Sequence, residues 1–274
     1  MSPHHPSGTS KLPDFSKPPV IETVFGLQFE PLAGLNTPRI GAFWSKHRNQ
    51  YPDTEEKPPL PPVVERYKDG DVQPAALMSL DVIPTPRVFL IDESGNWVMQ
   101  LQKDRFLHNW RKVNDEDRYP RHRATSQRFF TMWASFQEFC EQERIGPASI
   151  TQAELTYINH IPKGEGWSNF SAISELFPDL NWRKNRDFLP DPDVMGWQLR
   201  FSLPERQGRL YVTLKHGTRN RDKKELFLCE LTVRGAPSAD IALAEWFDVA
   251  REWIVRGFCD LTGRRVQEEY WGRR

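Results

Sequence analysis

The sequence predicts an α+β fold in which a strand, a helix, three strands and a long helix occur twice in the same order. The two copies form one curved antiparallel sheet with the long helices on one face. Three observations predict this. Short runs alternate apolar and polar residues with period two and are bounded by turn formers. Two long stretches near 125–144 and 238–261 switch to the spacing of amphipathic helices. The order of elements restarts near residue 147.

Residues 1–18, rich in Pro, Ser and His, lack apolar pattern and read as a disordered arm; His4 and His5 read as tail residues rather than a metal site. In "VIETVFGLQFEPL", Ile21, Thr23, Phe25, Leu27 and Phe29 share one face, and Glu22, Val24, Gln28 and Glu30 the other, as in a half-buried strand. In "NTPRIGAFWSKHRNQY", Ile40, Phe43, Trp44 and His47 fall at helical spacing. Asn36 or Thr37 caps this helix, and Pro38 sits where its missing N–H does no harm. Residues 52–86 form a proline-rich connection. Its prolines lack ladder donors and favour extended conformations, so "PPLPP" reads as a rigid spacer, with an SH3-type ligand as the other reading. "RVFLID", "WVMQLQ" and "RFLHNW" are strands joined by turns at "ESGN" and "KD". The following helix carries the stripe Phe129, Trp133, Phe136 and Cys140, and Gly146 and Pro147 end it.

The second copy begins with the strand "ITQAELTYINHI" and the short helix "SNFSAISELF", capped by Ser168 or Asn169. "WQLRFSL", "RLYVTLKH" and "ELFLCELTVRG" are its three strands. Its long helix, with Ser238 as cap, has a wide apolar stripe of Leu243, Trp246, Phe247, Ala250, Trp253, Ile254, Gly257, Phe258 and Leu261. The chain therefore divides into an arm (1–18), a first half (19–146) and a second half (147–274). Gly95 and Gly208, at matching turns, are as far apart as Trp133 and Trp246 in the two long helices. Glu22 and Glu154 lead the two halves, each followed three positions later by an aromatic residue, Phe25 or Tyr157. Their larger separation is absorbed by the connection of 52–86. Joined side by side, the halves close an edge that each alone exposes. The element order resembles that of TATA-binding-protein-like folds; two tandem ferredoxin-like domains are the alternative.

Lys plus Arg total 37 and Asp plus Glu total 37, so no basic surplus announces nucleic acid. No apolar run approaches the roughly 20 residues of a spanning helix, and the start lacks the apolar stretch of a signal peptide. Three cysteines without a C-x-x-C pair argue against a disulfide framework and a cysteine zinc site. The expectation is a cytoplasmic protein with no membrane association, no cofactor and no resident metal. No G-x-S-x-G, P-loop, H-E-x-x-H or G-x-G-x-x-G motif occurs, so no catalytic residue is assigned. Asp191 and Asp193 in their proline-flanked loop read as a turn, with a divalent-ion site shared with Glu205 as the other reading, and His108 and His160 lack an adjacent nucleophile.

With helices on one face, the other face is open. Alternation places Glu22, Gln28, Gln100, Gln102, His108 and Trp110 there from the first half. The second half adds Glu154, Arg200, Tyr211, Thr213, Lys215, Glu230 and Arg234. Amides both donate and accept, and aromatic rings supply stiff contact area, so this face reads as a recognition surface for a partner protein or a small ligand. A merely solvated face also alternates polar residues. Two rivals belong to other classes. The basic turn "KHGTRNRDKK", Lys215–Lys224, suggests a nucleic-acid binder. Carboxylates such as Glu22 and Glu154, brought together only in three dimensions, suggest a metal-dependent hydrolase or nuclease. The stretches "KPPVIETVFGLQF", "QLQKDRFLHNWRK" and "EWIVRGFCDLTGRRVQEEYWGR" resemble a sporadically distributed, functionally uncharacterised bacterial family of about this length. The resemblance spans nearly the whole chain and brings no catalytic residue. It implies an accessory role in gene clusters such as defence or toxin–antitoxin neighbourhoods.

Overall fold

The computed structural model describes residues 11–61, 63, 65, 85–182, 187–204, 207–237 and 241–274. Along the chain these form β1 (Val20–Phe29), α1 (Thr37–His47), β2 (Asp53–Lys57), β3 (Arg87–Ile91), β4 (Trp97–Gln102), β5 (Arg105–Arg111), α2 (Arg121–Gln142), β6 (Ile150–Pro162), α3 (Ile173–Leu176), β7 (Gly196–Ser202), β8 (Arg209–Thr218), β9 (Glu225–Gly235), α4 (Leu243–Leu261) and α5 (Arg264–Glu269). The strands make one antiparallel sheet in the order β2-β3-β4-β5-β1-β6-β9-β8-β7. The α+β class read from the sequence holds. Two elements were not foreseen. β2 lies inside the proline-rich connection, so four strands rather than three follow α1, and α5 lies in what reads as a tail. Ser238, Glu205, His4 and His5 lie outside the described residues. Among the described residues no helix is long and apolar enough to cross a membrane.

The chain divides into two compact units. The first comprises Glu22–Leu155 with Arg234–Ala242; the second comprises Thr156–Val233, Leu243–Arg274 and the chain up to Ile21.

In the first unit, α1 starts where Asn36 accepts the Arg39 N–H at 3.1 Å, with Pro38 in the first turn. The stripe of α2 packs on the sheet through rings. Phe25 stacks on Phe129 with centroids 5.3 Å apart, Phe29 meets Trp133 at 6.0 Å and Phe106 meets Phe136 at 5.4 Å. Burying each such ring contributes about 1.5–3 kcal/mol. Residues opposite one another in an antiparallel pair share a face. The β1–β5 register pairs Phe25 with His108, Leu27 with Phe106 and Gln28 with Arg105. The β4–β5 register pairs Leu101 with Phe106 and Gln102 with Arg105. Phe25, Leu27, Leu101, Phe106, His108 and Trp110 therefore face the helix. Glu22, Gln28, Gln100, Gln102, Arg105 and Asn109 face away from it.

The second unit has its own core, centred on Phe227, whose ring lies 4.6 Å from that of Trp167. α4 buries Trp246, Phe247, Ala250, Ile254, Phe258 and Leu261, whereas Trp253 is only half-buried. Gly257 permits the close approach of α4 to β8, since a Cβ there would stand 2.9 Å from Leu210 Cδ2. Residues 14–17, expected inside a disordered arm, are instead tied to 271–274. Ser16 and Lys17 donate to the carbonyls of Gly272 and Trp271, and Arg274 donates to Asp14, at 2.9–3.1 Å. Phe15 supplies the reason: it is buried against the rings of Phe258 and Trp271.

Candidate functional site: a glutamine row on the sheet of the first unit

Side chains on the helix-averted face of the first unit form two transverse sets. In one, Arg87 donates to Gln100 at 3.1 Å, Gln100 to Asn109 at 2.9 Å, and Asn109 to Glu22 at 2.6 Å. The other runs across four neighbouring strands through Gln102 on β4, Arg105 on β5, Gln28 on β1 and Gln152 on β6. All four of these are buried, at 5–8% exposure. Buried amides and a buried guanidinium need partners, and here much of the partnering comes from main chain.

The backbone of residues 60, 61, 63 and 65, in the proline-rich connection, lies on this row. The Gln102 amide grips Leu60 at both ends, accepting from its N–H and donating to its carbonyl, both at 2.8 Å. Arg105 donates to the Pro61 carbonyl at 3.1 Å and to Gln28 Oε1 at 2.6 Å. The same Gln28 oxygen accepts from the Val63 N–H at 3.1 Å. Gln152 accepts from the Glu65 N–H at 3.0 Å and donates to the Val63 carbonyl at 2.8 Å. The described residues 60, 61, 63 and 65 thus meet side chains from four neighbouring strands. Three inter-strand steps from β4 to β6 span about 14 Å. Five residue steps, the sequence separation of Leu60 and Glu65, cover about 16 Å at the polyproline rise.

The electrostatics follow from burial. Desolvation lowers the pKa of the Arg105 guanidinium, opposed by the charges of Glu154 and Asp104; an arginine stays cationic under these conditions. Arg105 therefore acts as a fixed cation aimed at a main-chain carbonyl. Glu154 is held by Arg234 at 3.0 Å and lies over Gly26, where a Cβ would stand 2.8 Å from Glu154 Cγ and 2.5 Å from Leu107 Cδ2. Gly26 thus leaves the space into which the Glu154 side chain settles.

Four of the residues expected on the open face, Glu22, Gln28, Gln100 and Gln102, lie in these two sets, and Glu154 and Arg234 pair with each other, with Glu154 over Gly26. His108 and Trp110 lie in neither set. They point to the helix side of β5 and are 1% and 4% exposed. His108 Nε2 shares a hydrogen bond with the Tyr51 hydroxyl at 2.9 Å, and the Trp110 ring packs on Tyr119. Burial, with the Arg128 cation nearby, pushes the His108 pKa down to about 3, so its ring is neutral. The expectation that His108 and Trp110 face the open side is therefore reversed: they share the helix side with Phe106. Sequence reasoning also missed Arg105, Asn109 and Gln152. Arg105 and Asn109 share the polar parity of Arg111, a signal that outweighs Leu107.

Arg200, Tyr211 and Lys215 belong to the second unit. Tyr211 lies opposite Arg200, Thr213 opposite Gln198 and Lys215 opposite Gly196. Gln198, Arg200 and Lys215 are exposed, and Thr232 donates to Glu230 at 3.4 Å. The basic turn is partly neutralised from within, because Arg219 forms a forked pair with Asp222 that holds this carboxyl well below the usual carboxylate range. Asp191 accepts from the Trp182 indole at 3.1 Å. Among the described residues no group of three His, Cys, Asp or Glu side chains is placed to hold a metal ion. Cys140, Cys229 and Cys259 are free and buried, and desolvation pushes the first two up to about 11 and about 12. Comparison with protein-family models, with curated proteins and with solved structures found no match.

Proposed function

We propose that the protein is a non-enzymatic recognition module whose glutamine row binds an extended segment of a partner protein. One observation carries this reading: among the described residues, Gln28, Gln102, Arg105 and Gln152 contact the main chain of residues 60, 61, 63 and 65 at six points. A side-chain amide presents the same donor and acceptor as a peptide group, so a row of glutamines offers an extended backbone what a neighbouring strand would offer. The connection then acts as a built-in ligand that holds the row until a partner segment replaces it. A tethered segment has an effective concentration in the millimolar range, which keeps weak competitors out. Internal pairing within the 215–224 turn weighs against the nucleic-acid reading. The accessory role implied by the family resemblance is compatible with such a module.

The same proposal includes an internally duplicated unit with the TATA-binding-protein-like element order. Its support is the strand order, in which β5-β4-β3 follow β1 outward as β9-β8-β7 follow β6, with β2 as an addition in the first half.

The test uses the full chain carrying Leu60→Pro and Val63→Pro, which deletes two of the N–H groups that the row accepts. A fluorescent peptide with the sequence of residues 58–65 should bind this chain saturably, and about tenfold more weakly to the unaltered chain. Adding Gln102→Ala and Gln152→Ala should abolish binding. A folded double-proline variant that fails to bind the peptide overturns the proposal.

A further inference from the structure

The way residues 60–65 are held prescribes which segments the row accepts, given the recognition reading above. Among the described residues 60, 61, 63 and 65 the contacts follow a definite register. The row takes N–H groups from Leu60, Val63 and Glu65, and carbonyls from Leu60, Pro61 and Val63. Pro61 has no N–H to offer, and none is requested there; its carbonyl faces the Arg105 cation instead. We infer that the partner is a proline-containing extended segment with free N–H groups at the positions of Leu60, Val63 and Glu65, proline being admitted at the position of Pro61.

Two physical arguments sharpen this pattern. Proline holds the segment near the polyproline conformation before binding, which lowers the ordering cost and matches the advance needed to cross from β4 to β6. Conversely, proline at any of the three donor positions leaves a glutamine oxygen facing a ring carbon. For Gln102 and Gln152 that oxygen belongs to a side chain only 5% exposed, so water does not readily replace the lost donor. Gln28 Oε1 differs, because it keeps Arg105 as a second donor when the Val63 N–H is lost. Proline at the Val63 position should therefore be penalised less than at the other two.

A proline scan of the ligand tests the rule. The receptor is the full chain with Leu60→Pro and Val63→Pro, and the probes are the residue 58–65 peptide and its single variants, measured by fluorescence anisotropy. Leu60→Pro or Glu65→Pro in the peptide should weaken binding about tenfold or more, the equivalent of one buried acceptor left unpaired. Val63→Pro should weaken it by less than those two. Pro61→Ala should change affinity by no more than about threefold, since only preorganisation is lost. If the parent peptide binds and all four variants bind within about twofold of it, the register rule is wrong while the recognition reading stands. If the parent peptide does not bind, the recognition reading itself has failed, and the rule with it.

Discussion

On the helix-averted side of the first unit, Gln102 and Gln152 are 5% exposed beneath residues 60–65; on that side of the second unit, Gln198 and Arg200 stand in solvent. The two surfaces share their construction. Both belong to antiparallel strands whose other side carries aromatic and aliphatic residues against helices, and both alternate polar positions with period two. What separates them is a proline-rich connection between β2 and β3, on which the first surface closes its hydrogen bonds. The lesson is that a polar sheet face has no fixed energetic meaning. An amide that meets main chain is part of the fold and of any recognition built on it, whereas an amide that meets water is neither.

The contrast can be broken most severely at Trp110. Because it lies on the helix side at 4% exposure, Trp110→Ala should cost about 3–5 kcal/mol, whereas Phe201→Ala in the second unit, at 40% exposure, should cost less than about 1 kcal/mol. Urea denaturation of the two variants decides it, and equal losses would mean the β5 faces are exchanged. Glycines give the next largest difference. Gly26→Ala drives a methyl into Leu107 and Glu154 and should cost about 1–3 kcal/mol, while Gly217→Ala, with nothing within 4 Å, should stay within about 0.5 kcal/mol.

The glutamines themselves come third. Gln152→Ala strips partners from the Val63 carbonyl and the Glu65 N–H and should cost about 1–2 kcal/mol; Gln198→Ala should be close to neutral. Faster amide exchange at Glu65 in the first variant alone would locate the loss. Acid acts gradually rather than at a single site change. His108 is neutral in the fold down to about pH 3 but takes up a proton near pH 6.5 once unfolded. Its contribution is therefore complete above about pH 6.5 and falls by up to about 1.4 kcal/mol per pH unit as the pH drops below that value. His160 in the second unit adds a loss of the same sign, down to about pH 4. His108→Gln should flatten the pH dependence of the urea midpoint by one proton's worth without reversing it.

Much of this was readable in the chain. The bounds of β3, β4 and β5, the Asn36 cap and the α2 stripe followed from periodicity and turn chemistry, because these are local. The parity of β5 is the reverse of that expected because His108 counts as a polar position in the sequence, whereas it is buried with Phe106 and Trp110 on the helix side. β2 was hidden by charge: "DTEEK" is exposed along its whole length and has no apolar period to display. Gln28 and Gln102 were legible on this face, but not Arg105, Gln152 or the occupant of the row. A proline-rich run resembles a spacer until its carbonyls and N–H groups are set against specific side chains, and that pairing reaches from Gln28 to Gln152 across the sequence.

The pairing of residues 14–17 with 271–274 has a mechanical consequence. The two short segments run antiparallel, so Asp14 and Arg274 lie at the same end of the clamp. A pull applied at these two residues loads the backbone bonds one after another, as in a zip, rather than all together in shear. The Arg274 to Asp14 bond carries the load first, and the bonds of Ser16 and Lys17 carry it only after that bond has parted. The clamp therefore yields at low force, and the sheet bears tension only once Phe15 has left its place against Phe258 and Trp271.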